Sequence, residues 1–489
     1  MSTDLSTRVL PARARAGPRG HAATAGLWAM RLAGVLSLTG SVGISLWIVA
    51  AAAERPSFLS GPARLSGFAG WVVGPFAHRL PGLTSDASTL QRDFVVALAG
   101  LFICWVVAFA CVRSLHVAWL AGTLVTLGVI YALGPPLSLT DVFNYIHYGR
   151  MGAVHGLNPY IDLPVRAAHD PSYAVSNWHH LLSPYGPLFT LLTYPVALLP
   201  LHTAYWVWKG IVLVSSLGVL ALVWWIAVRS GRSPQRALAF AGLNPLVLVY
   251  GLGGAHNDPL MLLAVLGAVA LALGPADATT ARGVRATSLG AGAAAVAGGA
   301  LKLSMGVLAP LIVLGARRRS WAVAGAVAAG AAALAVIQLV FGGHAPAVAA
   351  QERLVTPLSI PQVAGELAGA GGMTATIRTI CHLVLAATIA GACVAVALER
   401  RRMIGACGLV MLVAVLTLGW TMPWYVWWVL PFAALARTRW LAGACIVLTV
   451  WLALGAIPQM PTLIHGAGYF PTRSPVGKLN HAYTERLLR

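Results

Sequence analysis

Long apolar runs alternate with short polar breaks along most of this chain, and many of the runs approach the length of a membrane helix. A helix needs about 20 apolar residues to cross the hydrocarbon core. Leu32–Ala53, Phe94–Val112 and His116–Leu133 come first. After a long polar stretch follow Tyr205–Val228, Ala237–Gly254 and Pro259–Leu273. Ser288–Ala300 and Leu303–Leu314 are a shorter pair broken at Lys302, which predicts a shallow hairpin with the lysine near its tip. Trp321–Phe341, Ile377–Leu398, Ile404–Leu418, Tyr425–Ala436 and Leu441–Ile457 complete the series. Unbroken runs in place of short alternating ones predict helices rather than a barrel. The expectation is an all-α polytopic membrane protein with about 13 transmembrane helices.

The polar breaks set the orientation. Arginines gather at 229, 232 and 236, at 317–319, at 400–402, and at 437 and 439. The positive-inside rule puts these on the cytoplasmic side. Residues 1–31 then form a basic cytoplasmic tail, 32–457 the multispanning domain, and 458–489 an extracytoplasmic tail. Gly134, Pro135 and Pro136 end an outward helix and open a large outer loop, 134–204. Within it Tyr185–Leu201 is apolar but carries Pro187, Pro195 and Pro200. As a true span it would push Arg229 outside, so the charge rule favours an interfacial helix. Glu54–Arg92, rich in Pro and Gly, reads as another outer loop.

Composition agrees. Of 489 residues 58% are hydrophobic and 9% charged, against about 25% charged in soluble domains. The formal charge of +20 is spread over short loops rather than gathered on a soluble face, which argues against nucleic-acid binding. The six cysteines form no CxxC pair, so neither a zinc site nor a disulfide framework is implied.

Charges at the mouths of membrane helices are costly and mark candidate sites. Asp141 opens DVFNYIHYGRMGAVHGLNPY, the most polar stretch of the outer loop. In a helix Asp141, Tyr145 and Tyr148 share one face. The bland alternative is a helix cap by Thr140 or Asp141. A second cluster, His256–Asn257–Asp258, follows Gly253–Gly254 and precedes Pro259, where Asp258 could simply cap a helix. Lys302 is either a snorkelling surface lysine or a cation for a phosphate oxygen. Trp424 and Tyr425, within Gly419–Pro431, belong to an interfacial aromatic belt or line a sugar site. The neighbours His179 and His180 lack identifiable further metal ligands, so no metal site is assigned.

Together DVFNYIHYGR, GLNPY, SPYGPLF, NPLVLVYGLGGAHNDPLM, the lysine break and PWY resemble the polyprenol-phosphate-mannose-dependent α-(1→6)-mannosyltransferases of actinobacterial envelopes, within the GT-C superfamily. The likeness covers roughly Leu133 to Pro431. It implies a GT-C-type bundle with a catalytic first outer loop, in the plasma membrane, with its active site on the extracytoplasmic face. The implied partners are polyprenyl-phosphate-mannose as donor, a glycan or glycolipid acceptor, and membrane lipid. The implied reaction is inverting, with Asp141 as general base. Lys302, with Arg150 in reserve, stabilises the leaving phosphate, and His256, Asn257, Asp258, Tyr145, Tyr185, Trp424 and Tyr425 bind substrate. No cofactor is implied; a divalent metal is possible but not indicated. The alternatives are a sister enzyme for another lipid-linked sugar such as arabinofuranose, or a non-enzymatic transporter or flippase of a lipid-linked sugar.

Overall fold

The computed structural model describes residues 18–54, 70–77, 79, 86–137, 141–274, 280–346 and 348–488. Thr140, most of the 54–92 loop and part of the 274–286 linker lie outside them. Among the described residues the secondary structure is helical throughout.

The first helices are α1 (Pro18–Glu54), α2 (Ala87–Cys111) and α3 (Val117–Leu133). Residues 18–31, expected within the cytoplasmic tail, are helical and continuous with the span in α1. After Pro18 that segment contains no further proline and has several alanines, so nothing interrupts helix propagation back from the span. The 134–204 segment contains α4 (Asp141–Ala153) and α5 (Pro187–Ala197). Eleven residues of helix rise about 16 Å, well short of the hydrocarbon core. The α5 segment therefore does not cross as a single helix.

Next come α6 (Leu201–Arg229), α7 (Pro234–Gly242) and α8 (Asp258–Leu273). The expected span 237–254 is broken. Pro245 ends the α-helix, Asn244 accepts the amides of Leu246 and Val247, and the chain continues as a π turn over Val247–Leu252.

The Lys302 break is real. α9 (Ala281–Leu301) stops there, Lys302 is extended, and the chain returns as α10 (Leu303–Gly306) and α11 (Ala309–Gly315). Thereafter run α12 (Arg319–Val340), α13 (Val348–Glu352), α14 (Ile360–Leu367), α15 (Ala375–Leu398), α16 (Met403–Thr417), α17 (Val426–Leu435) and α18 (Arg439–Ala456). The last segment, expected as a tail, folds into α19 (Met460–Gly466) and α20 (Pro475–Leu488).

Among the described residues six helices are long and apolar enough to span a membrane: α1, α2, α6, α12, α15 and α18. The apolar helices α3, α5, α8 and α10–α11 are shorter. Among the expected spans, 237–254 is broken before Pro245 and the 288–314 pair at Lys302, while others are continuous helices of 15–17 residues. α16 and α17 are almost wholly buried at the centre. α12 and α15 expose apolar faces such as Leu334, Leu339, Leu383 and Val394, as helices facing lipid do.

Candidate active site

Three chain segments far apart in sequence meet in one narrow cleft: the start of α4, the start of α8 and the tip of the α9–α10 hairpin. Asp141 sits in the first turn of α4, where the helix dipole favours a carboxylate. Tyr145 and Tyr148, one and two turns on, line the same cleft as the helical spacing predicts. Asn144 organises the other face. Its amide donates to Asp141 Oδ1 (3.3 Å) and Asn177 Oδ1 (2.6 Å), while its oxygen accepts from the Asn177 and Trp178 amides. Tyr148 Oη donates to the Leu181 carbonyl at 2.6 Å. These bonds hold Trp178 and Leu181 at the rim.

The second segment is more strained. The π turn leads into Gly253, Gly254 and Ala255, and Ala255 has φ of 53°, unusual for a residue with a Cβ. A Cβ on Gly254 would meet the Tyr250 carbonyl oxygen at 2.3 Å and the His256 ring at 2.5 Å. The glycine pair therefore lets this turn fold on itself. Such strain recurs at functional sites. The turn delivers His256, Asn257 and Asp258, all buried. The helix-cap reading of Asp258 fails: Asn257 is the cap residue, and Asp258 turns inward. Asp258 Oδ1 accepts from Lys302 Nζ at 2.9 Å and from Trp428 Nε1 at 2.5 Å. His256 Nδ1 lies 3.3 Å from Asp141 Oδ2, out of line for a hydrogen bond, and its ring stacks on Trp424 at 3.5 Å. The Asn257 amide donates to Tyr145 Oη at 3.3 Å, tying the second segment to α4.

Lys302 is no snorkelling surface lysine. Besides Asp258 it faces the stacked rings of Tyr425 and Trp428, 5.3 and 5.0 Å from their centroids. Gly186 explains how Tyr185 comes to line the same cleft. A Cβ there would lie 2.0 Å from the Ala300 carbonyl oxygen, and the Gly186 amide donates to Leu301. The SPYGP segment thus lies directly on the end of α9.

Of the predicted residues, Asp141, Tyr145, Tyr185, Asp258, Lys302, Trp424 and Tyr425 line the cleft, and His256 and Asn257 back it. Arg150 is the exception. It binds both oxygens of Asp170 (2.8 and 2.9 Å) and the Ala197 carbonyl, so it braces the loop rather than facing the cleft. Nine residues, about two and a half turns, put Arg150 on the opposite face of α4 from Asp141. His155 joins the same carboxylate at 2.7 Å. Burial pushes the Asp170 carboxyl up, but bonds from Ser172, His155 and Arg150 outweigh it and hold the group well below the usual carboxylate range. His179 stacks on Tyr173 rather than entering the cleft.

Sequence reasoning missed Gln351, in α13, and Leu354, just after it, which complete the rim with no motif to mark them. It also missed Lys209, buried within α6 and donating to the Gly134 carbonyl where the outer loop begins. A lysine inside an apolar run was the available signal.

Comparison with known proteins follows the same segments. Residues 67–318 match the family model "Alpha-(1->6)-mannopyranosyltransferase, N-terminal domain", and residues 360–468 match "MptB C-terminal domain". A probable alpha-(1->6)-mannopyranosyltransferase of Mycolicibacterium smegmatis is 31% identical over 34% of this chain and 31% of its own length. Alpha-(1->6)-mannopyranosyltransferase A of Mycobacterium tuberculosis is 31% identical over 32% of this chain and 30% of its own. Alpha-(1->6)-mannopyranosyltransferase B of Corynebacterium glutamicum is 25% identical over 35% and 28%. The matched stretch thus spans about a third of these relatives. No solved structure matches. The first model covers more than half of the chain, which therefore belongs to the alpha-(1→6)-mannopyranosyltransferase family of membrane glycosyltransferases.

Proposed function

We propose that this protein transfers mannose from polyprenyl-phosphate-mannose to a hydroxyl of an extracytoplasmic glycan or glycolipid in an α-(1→6) linkage, with inversion at the anomeric carbon. The observation that carries the reading is the convergence of Asp141, Asp258 and Lys302 on one cleft walled by aromatic rings. Asp141 is the better base of the two acids. Its side chain is 13% exposed against 1% for Asp258, whose Oδ1 is committed to Lys302 and Trp428. In the reaction Asp141 takes the acceptor hydroxyl proton as that oxygen attacks C1. The bond from C1 to the phosphate oxygen breaks, and the electron pair leaves with the polyprenyl phosphate. Lys302 has three donors and spends one on Asp258, so two remain for the departing phosphate. Trp424 and Tyr425 offer flat faces to a sugar ring.

The cleft has only about 30 Å³ of free space. A hexose enters once the rim of Trp178, Gln351 and Leu354 moves aside, and the rim's return excludes water from the loaded site.

The extracytoplasmic placement rests on charge. Asp258 begins α8 at the cleft, while Arg229, Arg317–Arg319 and Arg400–Arg402 stand at helix ends near the far end of α8. The positive-inside rule then puts the cleft outside. Product analysis after supplying labelled polyprenyl-phosphate-mannose to membranes with and without the protein tests the reading. A new α-(1→6)-mannosyl product is expected. Labelling only from the arabinofuranosyl donor, or release of unreacted donor across the membrane, contradicts it.

A further inference from the structure

At the end of the bundle opposite the cleft lies a cavity of about 620 Å³. We propose that it binds the headgroup of an anionic phospholipid, whose acyl chains run along its apolar wall. The separation from the cleft follows from α8, which begins with Asp258 in the cleft and ends with Leu273 in the cavity wall. Sixteen residues at 1.5 Å each put the two about 24 Å apart. That this face meets the inner leaflet rests on the orientation proposed above; the binding itself does not.

The chemistry is amphiphilic. Arg229, Arg400, Arg401, Arg402 and Arg437 line the cavity, with Glu399 as its sole acid among the described residues. Five cations against one carboxylate leave four positive charges. Glu399 occupies Arg401 and Arg402, at 2.6 and 2.7 Å. Arg229 and Arg400 are anchored through Nε to the Gly274 and Gly315 carbonyls, at 2.8 and 3.0 Å. These bonds fix the guanidinium groups while leaving their Nη donors for a phosphate. Behind the rim the wall is apolar, including Ala392, Ile404, Leu409 and Leu435.

Arginines that serve only as topology markers need no cavity between them. A small soluble anion would not need the apolar wall. A basic pocket between helices at the membrane surface, open to an apolar wall, suits a lipid phosphate held at the interface.

The test uses the purified full-length chain in detergent, with retained lipid read by native mass spectrometry and the unfolding midpoint followed in parallel. Phosphatidylglycerol is expected to be retained at least about tenfold more than phosphatidylcholine and to raise the midpoint. The triple variant Arg229→Gln, Arg400→Gln, Arg437→Gln is expected to lose that preference. Gly405→Phe is the second variant. Gly405 lines the cavity and a Cβ there meets nothing within 4 Å, so the ring fills the space with every charge kept. It too is expected to lose retention. Equal retention of the two lipids, undiminished retention in Gly405→Phe, or the same midpoint shift from inorganic phosphate overturns the proposal. The readout is independent of mannosyl transfer, so its failure leaves the proposed activity standing.

Discussion

Lys302 Nζ stands 2.9 Å from Asp258 Oδ1, joining the broken tip of the α9–α10 hairpin to the first turn of α8. The Asp258 side chain is 1% exposed and that of Lys302 15%. Removing one partner strands the other's charge in a nearly dry site, at a cost of about 3–5 kcal/mol. Asp258→Asn and Lys302→Met are each expected to lower the unfolding midpoint in detergent and to impair transfer. The double variant should recover part of the stability and none of the transfer. Strictly additive losses in the double-mutant cycle would remove this pair as a coupled unit.

Gly186 gives a test of how the site is assembled. A methyl at this position meets the Ala300 carbonyl, which belongs to a helix end and cannot move cheaply. Gly186→Ala should push Tyr185 out of its place in the cleft wall and cost about 1–3 kcal/mol. Its kinetic mark is a raised donor KM larger than any fall in kcat. Wild-type kinetics in Gly186→Ala would show that the contact between this loop and α9 is unimportant.

Much of this was legible in the residues alone. Asp141 and its helical companions could be read from spacing, because α4 is a regular helix whose period is known. The glycines before His256 pointed to a close approach, and the groups that approach are the turn's own carbonyls, Leu137 and the His256 ring. Arg150 was misassigned because one-dimensional proximity to Asp141 does not say which face of a helix a side chain takes, and Asp170 was 20 residues away. Gln351 and Leu354 were invisible for a related reason. They come to the cleft through tertiary packing of a five-residue helix and the turn after it, too short to show a periodic pattern. The break before Pro245 was not legible because the apolar run continues through it, whereas the break at Lys302 was marked by its charge.

His256 sits between Asp141 and Trp424, so its contributions can be separated. His256→Phe keeps the stacking on Trp424 and removes the nitrogen 3.3 Å from Asp141 Oδ2. If that nitrogen orients or polarises the base, kcat/KM should fall by about 10²-fold, with a displaced acid limb of its pH profile and an unchanged unfolding midpoint. An unaltered pH profile would reduce His256 to a packing role.

The Asp170 cluster predicts an acid-labile outer loop. Its carboxyl titrates lower in the folded chain than in the unfolded one, whose value is about 3.9. The folded state therefore binds fewer protons, and stability rises with pH in that range. The contribution is fully present above about pH 4 and is lost as pH falls toward the folded value. Asp170→Asn should lower the midpoint at pH 7 and flatten its acid dependence, as followed by tryptophan fluorescence. An acid dependence as steep as that of the wild type would place the labile group elsewhere.

The central claim is that Asp141 is the base. Asp141→Asn is nearly isosteric and removes only the ability to accept a proton, so it should leave folding and donor binding intact. Single-turnover transfer from labelled polyprenyl-phosphate-mannose, measured beside donor retention on the same purified sample, separates the two. Donor retention within about twofold and transfer reduced by at least about 10³-fold are predicted; transfer at a wild-type rate would contradict the account.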